Sequence, residues 1–133
     1  PGVKAYMDES IRKAREEGCV YTIMGRQRYL PDIHSRNSVV RGMAERNAIN
    51  APLQGSAADI IKIAMITIHR QMCTADMSSK MILQVHDELI FDVYEPELED
   101  LKKMVKAGME NAVKLSVPLT VEMGVGHNWL EAH

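Results

Sequence analysis

Met81-Ile82-Leu83-Gln84-Val85-His86-Asp87-Glu88-Leu89-Ile90-Phe91-Asp92-Val93 places two short apolar runs, 81–85 and 89–93, on either side of three consecutive ionisable residues. The β-branched and aromatic content of both runs predicts a tight antiparallel hairpin over 81–93, with His86, Asp87 and Glu88 at its tip. A bend that carries no Gly, Asn or Pro forgoes the favoured hairpin-turn chemistry. Side-chain function rather than turn propensity is then the reason for these residues, and an ordinary solvated turn is the plain alternative.

Downstream of the hairpin, Pro96 at a first helical position, with Glu97, Glu99 and Asp100 in the first turn, opens a helix expected over 96–115. Leu98, Leu101, Met104, Val105, Met109, Ala112 and Val113 form its apolar stripe. Residues 118–125 read as a final strand, followed by Asn128-Trp129. Upstream, 38–75 is helical with a break near Pro52, because the residue before a proline avoids the helical region. Ser56 followed by Asp59 resembles a capping box that opens the most apolar segment of the chain, which should be buried on most sides. Val3, Tyr6, Met7, Ile11 and Ala14 recur at helical spacing and give a helix over 3–17 that Gly18 stops. A hairpin over 19–30, around Met24-Gly25-Arg26, ends at Pro31. The predicted architecture is α+β: a small antiparallel sheet, made of hairpin 81–93 plus strand 118–125, packed on long helices in a single unit of residues 1–133.

The length of 133 residues suits one domain with a real core, and an apolar share of 46% is ordinary for a globular chain. No window approaches the roughly 18 apolar residues of a membrane span, and no cationic-then-apolar leader opens the chain. Cys19 and Cys73 stand far apart, without a CxxC pair or a His partner at zinc-site spacing. The expectation is a cytoplasmic protein with no disulfide framework, no zinc site and no membrane partner. A helical pattern that begins at once after Pro1, with no Met, suggests a piece of a longer sequence.

The net charge of −2 is unevenly distributed. Residues 1–50 hold nine Lys/Arg against six Asp/Glu, a net of +3, whereas residues 51–133 hold seven against twelve, a net of −5. Arg26, Arg28, Arg36, Arg41 and Arg46 make a local basic patch that suits phosphate contact, with a solvated ion-paired face as its alternative. Arg46, Asn50 and Gln54 recur every four residues and fall on one helix face if the helix survives Pro52. Donors in a row match the minor groove, where every base pair offers acceptors, although an ordinary polar helix face has the same pattern. Asp87 is the candidate metal ligand, since phosphoryl transfer calls for hard oxygen ligands to magnesium. A two-metal site needs a second carboxylate close by, and neither Glu88, its neighbour, nor Asp32, Asp59 or Asp92 presents itself by pattern. His34, His69, His127 and His133 read as structural or exposed.

Three blocks together carry a resemblance. They are Gly25-Arg26-Gln27-Arg28-Tyr29-Leu30-Pro31-Asp32-Ile33, the run from Ala44-Glu45-Arg46 through Asn50-Ala51-Pro52-Leu53-Gln54-Gly55-Ser56 to Asp59-Ile60-Ile61-Lys62, and Gln84-Val85-His86-Asp87-Glu88-Leu89. In order and spacing they resemble the C-terminal end of a family A DNA polymerase, the palm with the adjoining base of the fingers. The resemblance implies that Asp87 is one of two carboxylates binding catalytic Mg²⁺ and that Glu88 is an auxiliary acid. It implies that His86 lies near the primer terminus and that Arg46, Asn50 and Gln54, with Arg41 as a further DNA contact, touch the primer-template duplex.

The implied function is template-directed DNA synthesis by two-metal nucleotidyl transfer. Its implied partners are primer-template DNA, deoxynucleoside triphosphates and the rest of a polymerase chain. The family's other metal-binding Asp and its nucleotide-binding helix belong to motifs absent from these residues. The segment alone is therefore expected to bind metal weakly and to be inactive, with self-association through uncovered apolar surface. Two rivals remain: a non-catalytic duplex-DNA-binding module, and a metal-dependent phosphohydrolase using Asp87 and Glu88 together.

Overall fold

In the computed structural model, which describes all residues from 1 to 133, packing divides the chain into two compact units, Pro1–Asp59 and Ile60–His133. The first begins with α1, Gly2–Glu17, which Gly18 at φ 72° closes by donating its amide to the Ala14 carbonyl. Strands β1, Cys19–Tyr21, and β2, Gln27–Tyr29, follow as an antiparallel pair with Val20 opposite Arg28. Asn37 then caps the start of α2, Ser38–Thr74, by accepting from the Val39 amide at 3.0 Å. Ala14, Val20, Leu30, Ile33, Ala44, Ala48 and Ala51 form the core of this unit. The helix supplies only alanines to it, so the hairpin backbone can approach α2 closely.

That approach is closest at Gly55, where a Cβ would fall 2.5 Å from the Thr22 methyl. Around it the tip of the first hairpin is fastened to α2. Arg26 Nε donates to Asp59 Oδ1 at 2.5 Å, the Thr22 hydroxyl donates to Asp59 Oδ2, and the Ile23 amide donates to Ser56 Oγ at 2.8 Å. Ser56 and Asp59 are therefore not a capping box: they lie inside a continuous helix, and their side chains serve the hairpin instead. Nor does α2 break near Pro52. An internal proline removes one hydrogen bond and costs about 3 kcal/mol. Here Ala44, Ala48 and Ala51 are packed up to it, and Gly55, Ser56 and Asp59 are tied to the hairpin just beyond it.

In the second unit, the remainder of α2 supplies Ala64, Ile68 and Met72 to a core completed by Leu101 and Val105. Strands β3, Lys80–Val85, and β4, Glu88–Asp92, pair antiparallel, with Met81, Leu89 and Phe91 packed against that core. A bulge at Ile82 shifts the register, so that Met81 faces Phe91 while Leu83 faces Ile90. Together the two hairpins give an α+β fold with two small antiparallel sheets.

One helix boundary and one expected strand also differ from expectation. The helix predicted over 96–115 begins as a 3₁₀ turn, Glu95–Glu97, and continues as α3, Leu98–Glu110. It ends five residues early at Asn111, which leaves the helical region at φ −105°, ψ 10° and belongs to a residue type that favours caps over helix interiors. Residues 118–125 form no strand. Leu119 and Val121 are half-buried between exposed neighbours, so the alternation is real, but no ladder partner lies alongside. Pro118 has no amide to donate, and the Val121 amide donates to the Glu110 carboxylate at 3.2 Å instead. The chain ends in the short helix α4, Trp129–Ala132.

Glu97 locks the start of β3. Its carboxylate accepts from the Ser78 amide at 2.8 Å, the Ser79 amide at 2.9 Å and the Ser79 hydroxyl at 2.6 Å. The Ser79 hydroxyl in turn accepts from the Tyr94 amide at 2.9 Å. The hydroxyl of Ser79, then the two amides, favour the ionised carboxylate and hold the Glu97 pKa below its usual 4.5. A lowered folded pKa adds stability that is present above the ordinary carboxyl value and is lost as pH falls through the folded value. We expect acid unfolding of the β3–β4 hairpin to move toward neutral pH in Glu97→Gln, measured by amide exchange at Ser78 and Ser79. An unchanged pH profile would remove Glu97 from this role.

Candidate metal-binding turn and nucleic-acid interface

The β3–β4 connection is a two-residue turn, His86-Asp87, between the paired residues Val85 and Glu88. His86 has φ 54°, in the left-handed region. That conformation is ordinarily filled by Gly at such a position and costs roughly 1–3 kcal/mol for other residues, His and Asn being among the more tolerant. The Gln84 side-chain amide donates to the His86 carbonyl at 3.0 Å and braces the turn from the strand side.

The three ionisable residues differ in what holds them. His86 and Asp87 are exposed, and no hydrogen bond or ion pair within the chain engages the Asp87 carboxylate. Glu88, half-buried at the first position of β4, has Oε1 3.3 Å from His133 Nδ1. Asp87 is thus a hard oxygen donor free to take a hard divalent cation such as magnesium. No group of three or more His, Cys, Asp or Glu side chains converges anywhere in the chain. The turn fits one ligand of a magnesium site and does not complete that site by itself.

Arg46, Asn50 and Gln54 belong to the first unit. Because α2 continues through Pro52, their spacing puts them on one helix face, at intervals of about 6 Å along the axis. All three are exposed, with Met43 and Leu53 beside them. Arg41 is half-buried and lies off that face, its Nη1 donating to the Ser35 carbonyl at 3.0 Å. Of the basic patch, Arg26 is committed to Asp59, while Arg28 and Arg36 are exposed.

Sequence reasoning missed two arrangements. Asp59 carried the pattern of a cap, and only its distant partners Thr22 and Arg26 reveal its role. His133 gave no signal at all, because its meeting with Glu88 depends on how the segment after α3 turns back.

The chain belongs to DNA polymerase family A, whose family-wide model matches residues 1–131. The members to which it is similar are DNA polymerases I. It is 53% identical to that of Streptococcus pneumoniae over 132 residues, 49% identical to that of Pseudomonas aeruginosa over 133 and 48% identical to that of Bacillus subtilis over 131. These alignments cover 98–100% of this chain and 15% of each relative, so the chain spans about 15% of the length of the curated relatives it matches. Among solved structures it is similar to the POL domain of Pol1 from M. smegmatis, in complex with DNA primer-template and dNTP. The TM-score is 0.96 at 48% identity, covering 98% of this chain and 23% of that one.

Proposed function

We propose that this chain acts as part of a DNA-directed DNA polymerase that performs template-directed nucleotidyl transfer. The observation that carries this reading is its likeness, at TM-score 0.96 and 48% identity, to a polymerase domain in complex with primer-template and dNTP. In this reading Asp87 gives one carboxylate to a two-metal magnesium site, and a second carboxylate comes from beyond these 133 residues. Glu88 is an auxiliary acid, and His86 lies beside the primer terminus. The primer 3′ hydroxyl gives up its proton to water as its oxygen bonds to the nucleotide's α-phosphorus, the bond from that phosphorus to the oxygen bridging to the β-phosphate breaks, and pyrophosphate leaves carrying the electron pair. Magnesium held with the help of Asp87 would supply Lewis acidity to this transfer. The chain's own share is to hold Asp87 on a braced, strained turn where its carboxylate is free.

Arg46, Asn50 and Gln54 serve as minor-groove donors, with Arg41 as a further DNA contact. Exposed Met43 and Leu53 beside them suit the apolar edges of sugars, and the acceptors common to all base pairs let such a face test geometry without reading sequence. Gln54→Ala is accordingly expected to raise extension from mismatched primer ends by roughly tenfold relative to matched ends, the scale of one lost groove hydrogen bond. Steady-state extension of paired matched and mismatched primers checks this, and equal effects on both would remove Gln54 from the role.

Primer extension with magnesium and dNTPs, using the full-length protein that carries this segment, tests the main reading. Nucleotide addition directed by the template supports it. Tight duplex binding with no incorporation would favour the non-catalytic DNA-binding module instead.

A further inference from the structure

Asp87 and Glu88 are adjacent carboxylates in unlike settings: one is free, and the other has a ring nitrogen of His133 3.3 Å from its Oε1. The element that brings His133 there is the four-residue helix α4, Trp129–Ala132, held by local contacts. Asn128 Oδ1 accepts from the Glu131 amide at 2.9 Å, while Glu131 Oε2 accepts from the His127 amide at 3.0 Å, a reciprocal cap. The Trp129 ring meets the His133 imidazole edge-on, with centroids 6.5 Å apart at 73°. Residues 124–126 run so close to α4 that a Cβ on Gly124 would lie 1.7 Å from the Ala132 carbonyl oxygen, and one on Gly126 would lie 2.5 Å from the Glu131 Cβ. Caps, ring contact and glycine packing all shape the local turn from which His133 reaches Glu88.

We propose that His133 is a positioning residue for Glu88. Its imidazole holds the Glu88 carboxylate to itself and so leaves Asp87 as the only free carboxylate of the turn. Two adjacent acidic groups are thereby given separate tasks. Without His133, Glu88 turns freely and competes with Asp87 for the cation or adds like charge beside it. The expected result is a slower chemical step with substrate binding intact. This inference rests on the polymerase reading above.

The test is rapid-quench single-nucleotide incorporation by the full-length protein, with primer-template Kd and dNTP KM measured in parallel. His133→Ala is expected to slow incorporation about fivefold, the scale of one hydrogen bond, with Kd and KM unchanged. His133→Gln keeps a donor and is expected to restore the rate. The double variant His133→Ala/Glu88→Gln is expected to be no slower than Glu88→Gln alone, because both changes act through one interaction. Additive losses, an unaffected rate, failed rescue by Gln, or a change in Kd in place of rate would each overturn the proposal. Asp87→Ala in the same series separates the two levels. Retained turnover there overturns the metal-ligand role of Asp87 and this inference with it, absent template-directed incorporation by the unsubstituted protein overturns the polymerase reading, and lost turnover alongside additive His133 and Glu88 effects overturns the positioning role alone.

Discussion

Asp87→Ala in the full-length protein is expected to lower nucleotide incorporation by about a thousandfold or more while leaving primer-template affinity within about twofold. A metal's stabilisation of transition-state charge is worth several kcal/mol, and each 1.36 kcal/mol is a factor of about ten in rate. In the proposed reading, duplex affinity is carried by other groups, namely basic side chains on phosphates and the exposed donors of α2. The two quantities should therefore separate. Asp87 is suited to show it because its carboxylate makes no contact within the chain, so its removal leaves no buried partner unsatisfied. Rapid-quench incorporation with a binding titration checks the prediction. A large loss of affinity with turnover retained would assign Asp87 to DNA contact instead.

The second large effect concerns folding. Asp59 is 5% exposed and Arg26 54% exposed, so the pair is lopsided: the carboxylate is inside and the guanidinium is half in water. Arg26→Met leaves a buried carboxylate without its cation and is expected to destabilise by about 2–3 kcal/mol, below the figure for fully buried pairs because water screens this one. Asp59→Asn removes the buried charge and leaves Arg26 hydrated, at about 1 kcal/mol. The ordering is the content of the prediction. Amide exchange at Thr22 and Ile23 and chemical unfolding measure it, and a larger loss in Asp59→Asn would show that the arginine, not the carboxylate, is the group that needs its partner.

Hairpin 81–93 was legible in the sequence because strand composition is local: two apolar runs and a polar tip give the element and place His86 and Asp87 at its turn. Helices that carry their own periodicity, such as that of Val3, Tyr6, Met7, Ile11 and Ala14, were legible for the same reason. What depends on distant partners was not. Pro52 reads as a breaker, yet packing on both sides of it outweighs one missing hydrogen bond. Residues 118–125 alternate like a strand, but pairing is a property of two segments and this one has no ladder partner. Ser56 and Asp59 have the spacing of a cap, while their hydrogen bonds lie with Thr22, Ile23 and Arg26. At the candidate site the same division holds: the place of Asp87 at the hairpin turn could be read from local composition, whereas the positive φ of His86 and the approach of His133 to Glu88 exist only in the folded chain.

The central claim, that Asp87 ligates a catalytic divalent cation, is tested most directly by changing the ligand rather than deleting it. A thiolate binds magnesium poorly and softer divalent ions better. Asp87→Cys should be inactive with magnesium and regain incorporation with manganese or cadmium, while Asp87→Ala stays inactive with all three. Full magnesium activity in Asp87→Cys, or equal metal dependence in the two variants, would contradict the account.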